Sequence, residues 1–345
     1  MNQEWQKFLI QQEANLQNDV AVDFGNLQAE LIAARDSTIV CDLSQFGTLS
    51  ISGEEAQKFL QNLLSNDIGT VNTSSAQLSS LNSPKGRMLA TFTVWQTNEG
   101  YYLQLPLSLA AVIHKKLSMF VLRSKVKVSN VSDDLISIGL AGVNAAKLIQ
   151  EHFGSAPENN WSVLQKDNVC VIRLSANRYQ ITTDIPQATT LWNKFSKQAQ
   201  KAGSACWDWM NIRDGIPVIT PATQELFVLQ MANLDVLGGV SFKKGCYPGQ
   251  EIVARTHYLG KQKRRMFLAH IESDITPEAG NELFSTDMPD QPCGTIINAS
   301  CSPYSGFDLL AVIQISSRNT SEVHLKSVHG SLLQFKQLPY TLPSD

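Results

Sequence analysis

The sequence predicts an α+β protein, with a core of two related split βαβ halves followed by a C-terminal β-barrel. Three observations predict it. A segment around Gly53 returns 89 residues later around Gly142. Beyond Gly260 helical periodicity gives way to short β-like runs separated by turns. A chain of 345 residues, 43% of them apolar, can also bury more than one core. The expected division is 25–130 for the first half, 131–260 for the second and 261–345 for the barrel.

The N-terminal stretch Met1 to Asn18 is polar, with Trp5, Phe8, Leu9 and Leu16 interspersed, and lacks the basic start and apolar run of a signal peptide. Ile51 to Gln61 (ISGEEAQKFLQ) aligns with Leu140 to Gln150 (LAGVNAAKLIQ), and each copy reads strand, glycine turn, helix. In the first copy Ser52 and Glu55 have capping-box spacing, and Ala56, Phe59, Leu60, Leu63 and Leu64 form one apolar helical face. Tyr102 to Leu105 and Tyr179 to Thr182 read as strands, followed by helices containing Lys116-Leu117-Ser118 and Lys194-Phe195-Ser196. Two such halves facing each other would leave a ligand cleft. Trp207 and Trp209 alternate about Asp208, as on one face of a strand. Pro248 suits a first helical position, with Gly260 as the stop. The barrel strands are expected at 265–271, 282–285, 294–299, 309–315, 322–326 and 332–337.

The run Lys244-Gly245-Cys246-Tyr247-Pro248-Gly249-Gln250-Glu251 places one thiol between two glycines, behind two lysines and just ahead of that helix start. The positive end of a helix favours thiolate over thiol, and Lys243, Lys244 and Arg255 would add to the effect if they fold close. The same spacing also suits a glycine-proline turn around an inert, buried cysteine. No second cysteine stands within metal-ligand distance along the chain, so neither a redox pair nor a metal site is predicted. His257 reaches Cys246 only if the chain doubles back.

Phe242 to Arg255 (FKKGCYPGQEIVAR) resembles the signature of the YgfZ family of folate-binding proteins, and the likeness extends from about Asp42 to Gln337-Leu338-Pro339-Tyr340. Ser83 to Met88 resembles the family's hairpin before a strand, and Asn211 to Pro217 its segment that reaches the ligand pocket. The resemblance implies an aminomethyltransferase-like core and tetrahydrofolate or another folate as cofactor. It implies Cys246 as the functional thiol, in a loop of Lys244, Gly245, Tyr247, Gly249, Gln250, Glu251 and Arg255. Folate contacts are implied from Phe46 and Trp207 to the pterin, from Lys85 and Arg87 to the glutamate tail, and from Asp214 in the pocket segment. Phe46 stands where the family is expected to carry a tryptophan. The related aminomethyltransferases place a glutamate where this chain has Arg213, and a catalytic aspartate in the strand that here reads Met88-Leu89-Ala90-Thr91-Phe92. The resemblance therefore implies an accessory protein that supports assembly or repair of iron-sulfur enzymes, including those of tRNA modification. Those enzymes or their assembly factors would be its partners. An active folate-dependent one-carbon transferase is the alternative, and a thiol redox protein without folate a third reading.

A net charge of −3 argues against a protein whose main task is to coat nucleic acid. Lys261, Lys263, Arg264 and Arg265 still make a local basic run, which also suits a solvated loop before a strand. Six scattered cysteines suggest reduced thiols, hence a cytoplasmic location, and no segment approaches a membrane span.

Overall fold

The computed structural model describes residues 2–260 and 262–343. The chain forms two interleaved units. Met1–Phe59, Ile68–Gln77 and Thr93–Trp207 make the first, and Leu60–Asp67, Leu78–Phe92 and Asp208–Asp345 the second.

The first unit is built on the repeat. Strand Phe46–Ser52 pairs antiparallel with Gly100–Pro106, and strand Ile136–Gly142 pairs antiparallel with Arg178–Thr183. Each first strand leads into a helix, Ala56–Gln61 or Ala145–Phe153, and each second strand into another, Leu107–Val121 or Ile185–Phe195. The connecting glycines have nearly the same geometry, φ +112° at Gly53 and +114° at Gly142. A Cβ there would lie 2.2 Å from the Lys125 carbonyl oxygen and 1.8 Å from that of Ser37, respectively. Both positions thus require glycine. The capping box does not form, because the Glu55 carboxylate accepts the Lys125 backbone N–H at 2.7 Å instead.

Strands Thr38–Asp42 and Gln200–Ala202 extend the sheet of Ile136–Gly142, the latter joining in parallel. Helix Gln3–Gln11, capped by the Asn2 side chain, closes this core. Its Trp5 is fully buried, stacks on Phe8 and meets the edge of Trp192, while its indole N–H donates to Asp42 at 2.8 Å. Burial pushes the Asp42 carboxyl above its usual range despite the Trp5 and Ser44 hydrogen bonds.

The second unit carries a curled six-stranded antiparallel sheet, a half-barrel in which five of the strands are Arg264–Ile271, Glu282–Ser285, Gly294–Cys301, Phe307–Gln314 and Val323–Leu325. Gln334–Lys336 pairs with the first of these at one edge. Ala269, Ile271, Leu283, Ile296, Leu309 and Ala311 form its core. Asp308 lies inside this unit and takes hydrogen bonds from Trp209 (2.8 Å), His270 (2.9 Å), Lys336 (3.1 Å) and Ser302 (3.2 Å). Burial alone would raise its pKa, but the bonds from Trp209, His270 and Lys336 outweigh that and leave the carboxyl below its usual range.

Trp207 and Trp209 lie on a helix, Ser204–Arg213, rather than on a strand, because alternation over so short an apolar run does not distinguish the two periods. Among the described residues no helix is long and apolar enough to cross a membrane.

Candidate functional site

In the second unit the hairpin Ser83 to Arg87 and the thiol loop meet glycine to glycine. Gly86 (φ +70°) and Gly249 (φ +78°) both take left-handed conformations. A Cβ on Gly249 would fall 2.4 Å from the Gly86 Cα and 2.6 Å from the Ser83 carbonyl oxygen. The helix begins two residues later than Pro248 suggests, running Gln250–Leu259 with Gly249 as its N-cap residue.

The loop before this helix is fastened from beneath. Lys244 is buried, and its ammonium donates to the carbonyl oxygens of Leu64 at 2.5 Å and Asn66 at 3.0 Å. It also lies 5.2 Å from the ring centre of Tyr247. Burial, partly countered by the charge of Asp67, pulls the Lys244 pKa down to about 8. Tyr247 is buried as well, which pushes its hydroxyl up to about 12. Gln250 donates to the Lys244 carbonyl at 3.4 Å, and Gln230 reaches the Val253 carbonyl at 2.6 Å. Between these anchors Gly245 and Cys246 remain exposed. Cys41, Cys170, Cys206 and Cys293 are buried and Cys301 half-buried, so among the described residues Cys246 is the one exposed cysteine.

Lys244 therefore acts as a tether, its charge absorbed by main-chain carbonyls. Lys85, Lys243, Glu251 and Arg255 are exposed. Arg87 is exposed too, but its guanidinium holds the carbonyls of Glu225 (3.1 Å) and Leu226 (2.7 Å). The chain does double back at His257, whose ring stacks on Phe242 with centroids 3.7 Å apart. Asp214 sits half-buried in the turn after helix Ser204–Arg213, and the Arg213 guanidinium lies 4.9 Å over Trp209. That turn is gripped by the C-terminal tail, because the Tyr340 hydroxyl donates to the Gly215 carbonyl at 2.9 Å.

In the first unit Phe46 is half-buried at the start of its strand, opposite Pro106. Trp207 is only 2% exposed. The buried Arg178 guanidinium lies 4.9 Å over its ring, and a Cβ at Gly139 would come within 2.4 Å of it. The anchors missed from sequence are Arg178, Gln230, Tyr340 and the Leu64 and Asn66 carbonyls. Main-chain carbonyls carry no residue signature, and a buried cation spaced far from its partner in sequence leaves none either.

The GCVT N-terminal domain family matches residues 14–205. A protein of Colwellia psychrerythraea named tRNA-modifying protein YgfZ is 29% identical over 325 residues, covering 92% of this chain and 98% of its own. Its namesake from Klebsiella pneumoniae is 28% identical, covering 90% and 95%. Among solved structures, the glycine cleavage system aminomethyltransferase T of Bartonella henselae superposes with a TM-score of 0.80 over 96% of both chains at 15% identity. The fold is thus aminomethyltransferase-like, and the YgfZ likeness spans nine-tenths of the sequence. With more than half its length matched, the chain belongs to the GCVT N-terminal domain family.

Proposed function

We propose that the protein binds a reduced folate and acts as an accessory protein to iron-sulfur enzymes, including those of tRNA modification, with Cys246 as its functional thiol. One observation carries the thiol assignment. The neighbours of Cys246 are fixed by a buried lysine, a buried tyrosine and a glycine contact, while the thiol itself faces solvent. A turn that only needed to be compact would bury a cysteine. The tRNA side of the reading is supported by the name that the YgfZ relatives carry.

Folate binding is supported by the aminomethyltransferase-like fold. The ring contacts fit it unequally. Phe46 keeps part of its ring accessible and suits a flat pterin, whereas the 2% exposure of Trp207 leaves it the role of a support for Arg178. Bound folate would supply a one-carbon carrier. Aminomethyl transfer itself is expected to be negligible. Arg213 inverts the charge of the glutamate-like position, and Thr91, in the strand after the hairpin, is engaged by the Ile219 backbone N–H at 3.2 Å. Titration of tetrahydrofolate, followed by calorimetry, tests the reading. Saturable binding that weakens in Phe46→Ala is expected, and silence in wild-type protein overturns it.

A further inference from the structure

We infer that helix Gln250–Leu259 and the loop before it form a docking surface for an unpaired RNA loop. The charge distribution is the first ground. Residues 242–265 hold seven of the chain's 28 lysines and arginines but only one of its 31 acidic residues, Glu251, in a protein of net charge −3. Two of the seven are absorbed internally. Lys244 is tied to its carbonyls, and Arg265 is buried in a two-pronged pair with Asp235 at 2.7 and 3.0 Å. Lys261 lies outside the described residues. Lys243, Arg255 and Lys263 are exposed and Arg264 half-exposed, and among the described residues no acidic side chain is paired with any of them. Such solvent-facing cations gain from a polyanion.

The second ground is aromatic. Tyr258 is 66% exposed, and His257 is exposed while stacked nearly parallel, at 13°, on Phe242. Tyr258 stands edge-on to His257 at 4.7 Å, so the rings form a connected platform beside Lys243. Ile252 of the same helix is 40% exposed and lies against Gly86. A solvated helix gains nothing by exposing such rings. Unpaired bases stack on aromatic side chains while cations follow the backbone, and bases locked in a duplex cannot reach them. The choice of RNA over DNA rests on the proposed role in tRNA modification, whereas the surface itself stands apart from the folate reading.

Anisotropy of a fluorescein-labelled RNA hairpin with an unpaired loop, titrated with the full chain at rising salt, is the test. Binding should fall steeply with salt, and a fully paired RNA should bind more weakly. Tyr258→Ala should weaken hairpin binding about fivefold or more. The double variant Lys243→Glu, Lys263→Glu should nearly abolish it, with tetrahydrofolate titration unchanged in both proteins. Undetectable binding, equal affinity for the duplex or for phosphatidylglycerol vesicles, or binding indifferent to these substitutions would overturn the inference.

Discussion

The two units bury charge in different ways. In the first, Asp42 takes hydrogen bonds from the neutral donors Trp5 and Ser44, and burial pushes its carboxyl up. In the second, Asp308 takes its indole N–H from Trp209 much as Asp42 does from Trp5, but His270 and Lys336 join it and its carboxyl is pulled down. The Arg265–Asp235 pair belongs to the same pattern, whereas Lys244 is held by main-chain carbonyls. An indole bond does not offset the burial of Asp42, whereas at Asp308 the further bonds from His270 and Lys336 do. In the unit that carries the thiol loop, Asp308 and Arg265 meet opposite charges, while Lys244 and Arg265 fix backbone carbonyls.

The largest expected effect breaks that pattern at its centre. Asp308→Asn leaves His270 and Lys336 facing a neutral group and should cost about 3–5 kcal/mol at neutral pH, measured by denaturant unfolding. The folded pKa of Asp308 lies below the unfolded value, so its stabilisation is complete above about pH 4 and fades as pH falls through the folded value. The deficit of the variant should shrink in that acid window. Gly249→Ala comes next, at about 2–4 kcal/mol, because a Cβ in a left-handed conformation would also strike the Gly86 backbone. Lys244→Met should cost about 1–3 kcal/mol by stranding the Leu64 and Asn66 carbonyls. Its clearer sign would be faster hydrogen exchange at residues 243–248.

Asp42→Asn should have the smallest effect, and it sharpens the contrast by its sign. The folded pKa of Asp42 is raised, so the aspartate's advantage is present below the unfolded carboxylate pKa and is lost as pH rises through the folded value. At neutral pH the asparagine should be neutral or slightly stabilising, with the difference narrowing in acid. Equal pH slopes for Asp42→Asn and Asp308→Asn would remove the comparison.

What was legible in the sequence follows the same physics. The repeat could be read because Gly53 and Gly142 each face a carbonyl oxygen that excludes a Cβ, which forces the residue type. The helix after the thiol loop was readable to within two residues, and the half-barrel strands stand within three residues of their alternating runs. Nothing local marks the passage of strand Met88–Thr97 from one unit to the other, because a strand keeps its period of two whichever core it serves. The lysine pair before Cys246 suggested two charges beside the thiol, yet only Lys243 is exposed. Burial of Lys244 is decided by two carbonyls about 180 residues away in sequence.

The central claim is that a fixed loop presents Cys246 as the working thiol. Its most direct test is whether Cys246→Ser supports iron-sulfur enzyme activity in cells lacking the wild-type protein. One sulfur is exchanged for one oxygen at an exposed site, so folding and folate binding should stay near wild-type levels. The account predicts that support is lost in this stably folded variant, and full support by the serine protein would contradict it.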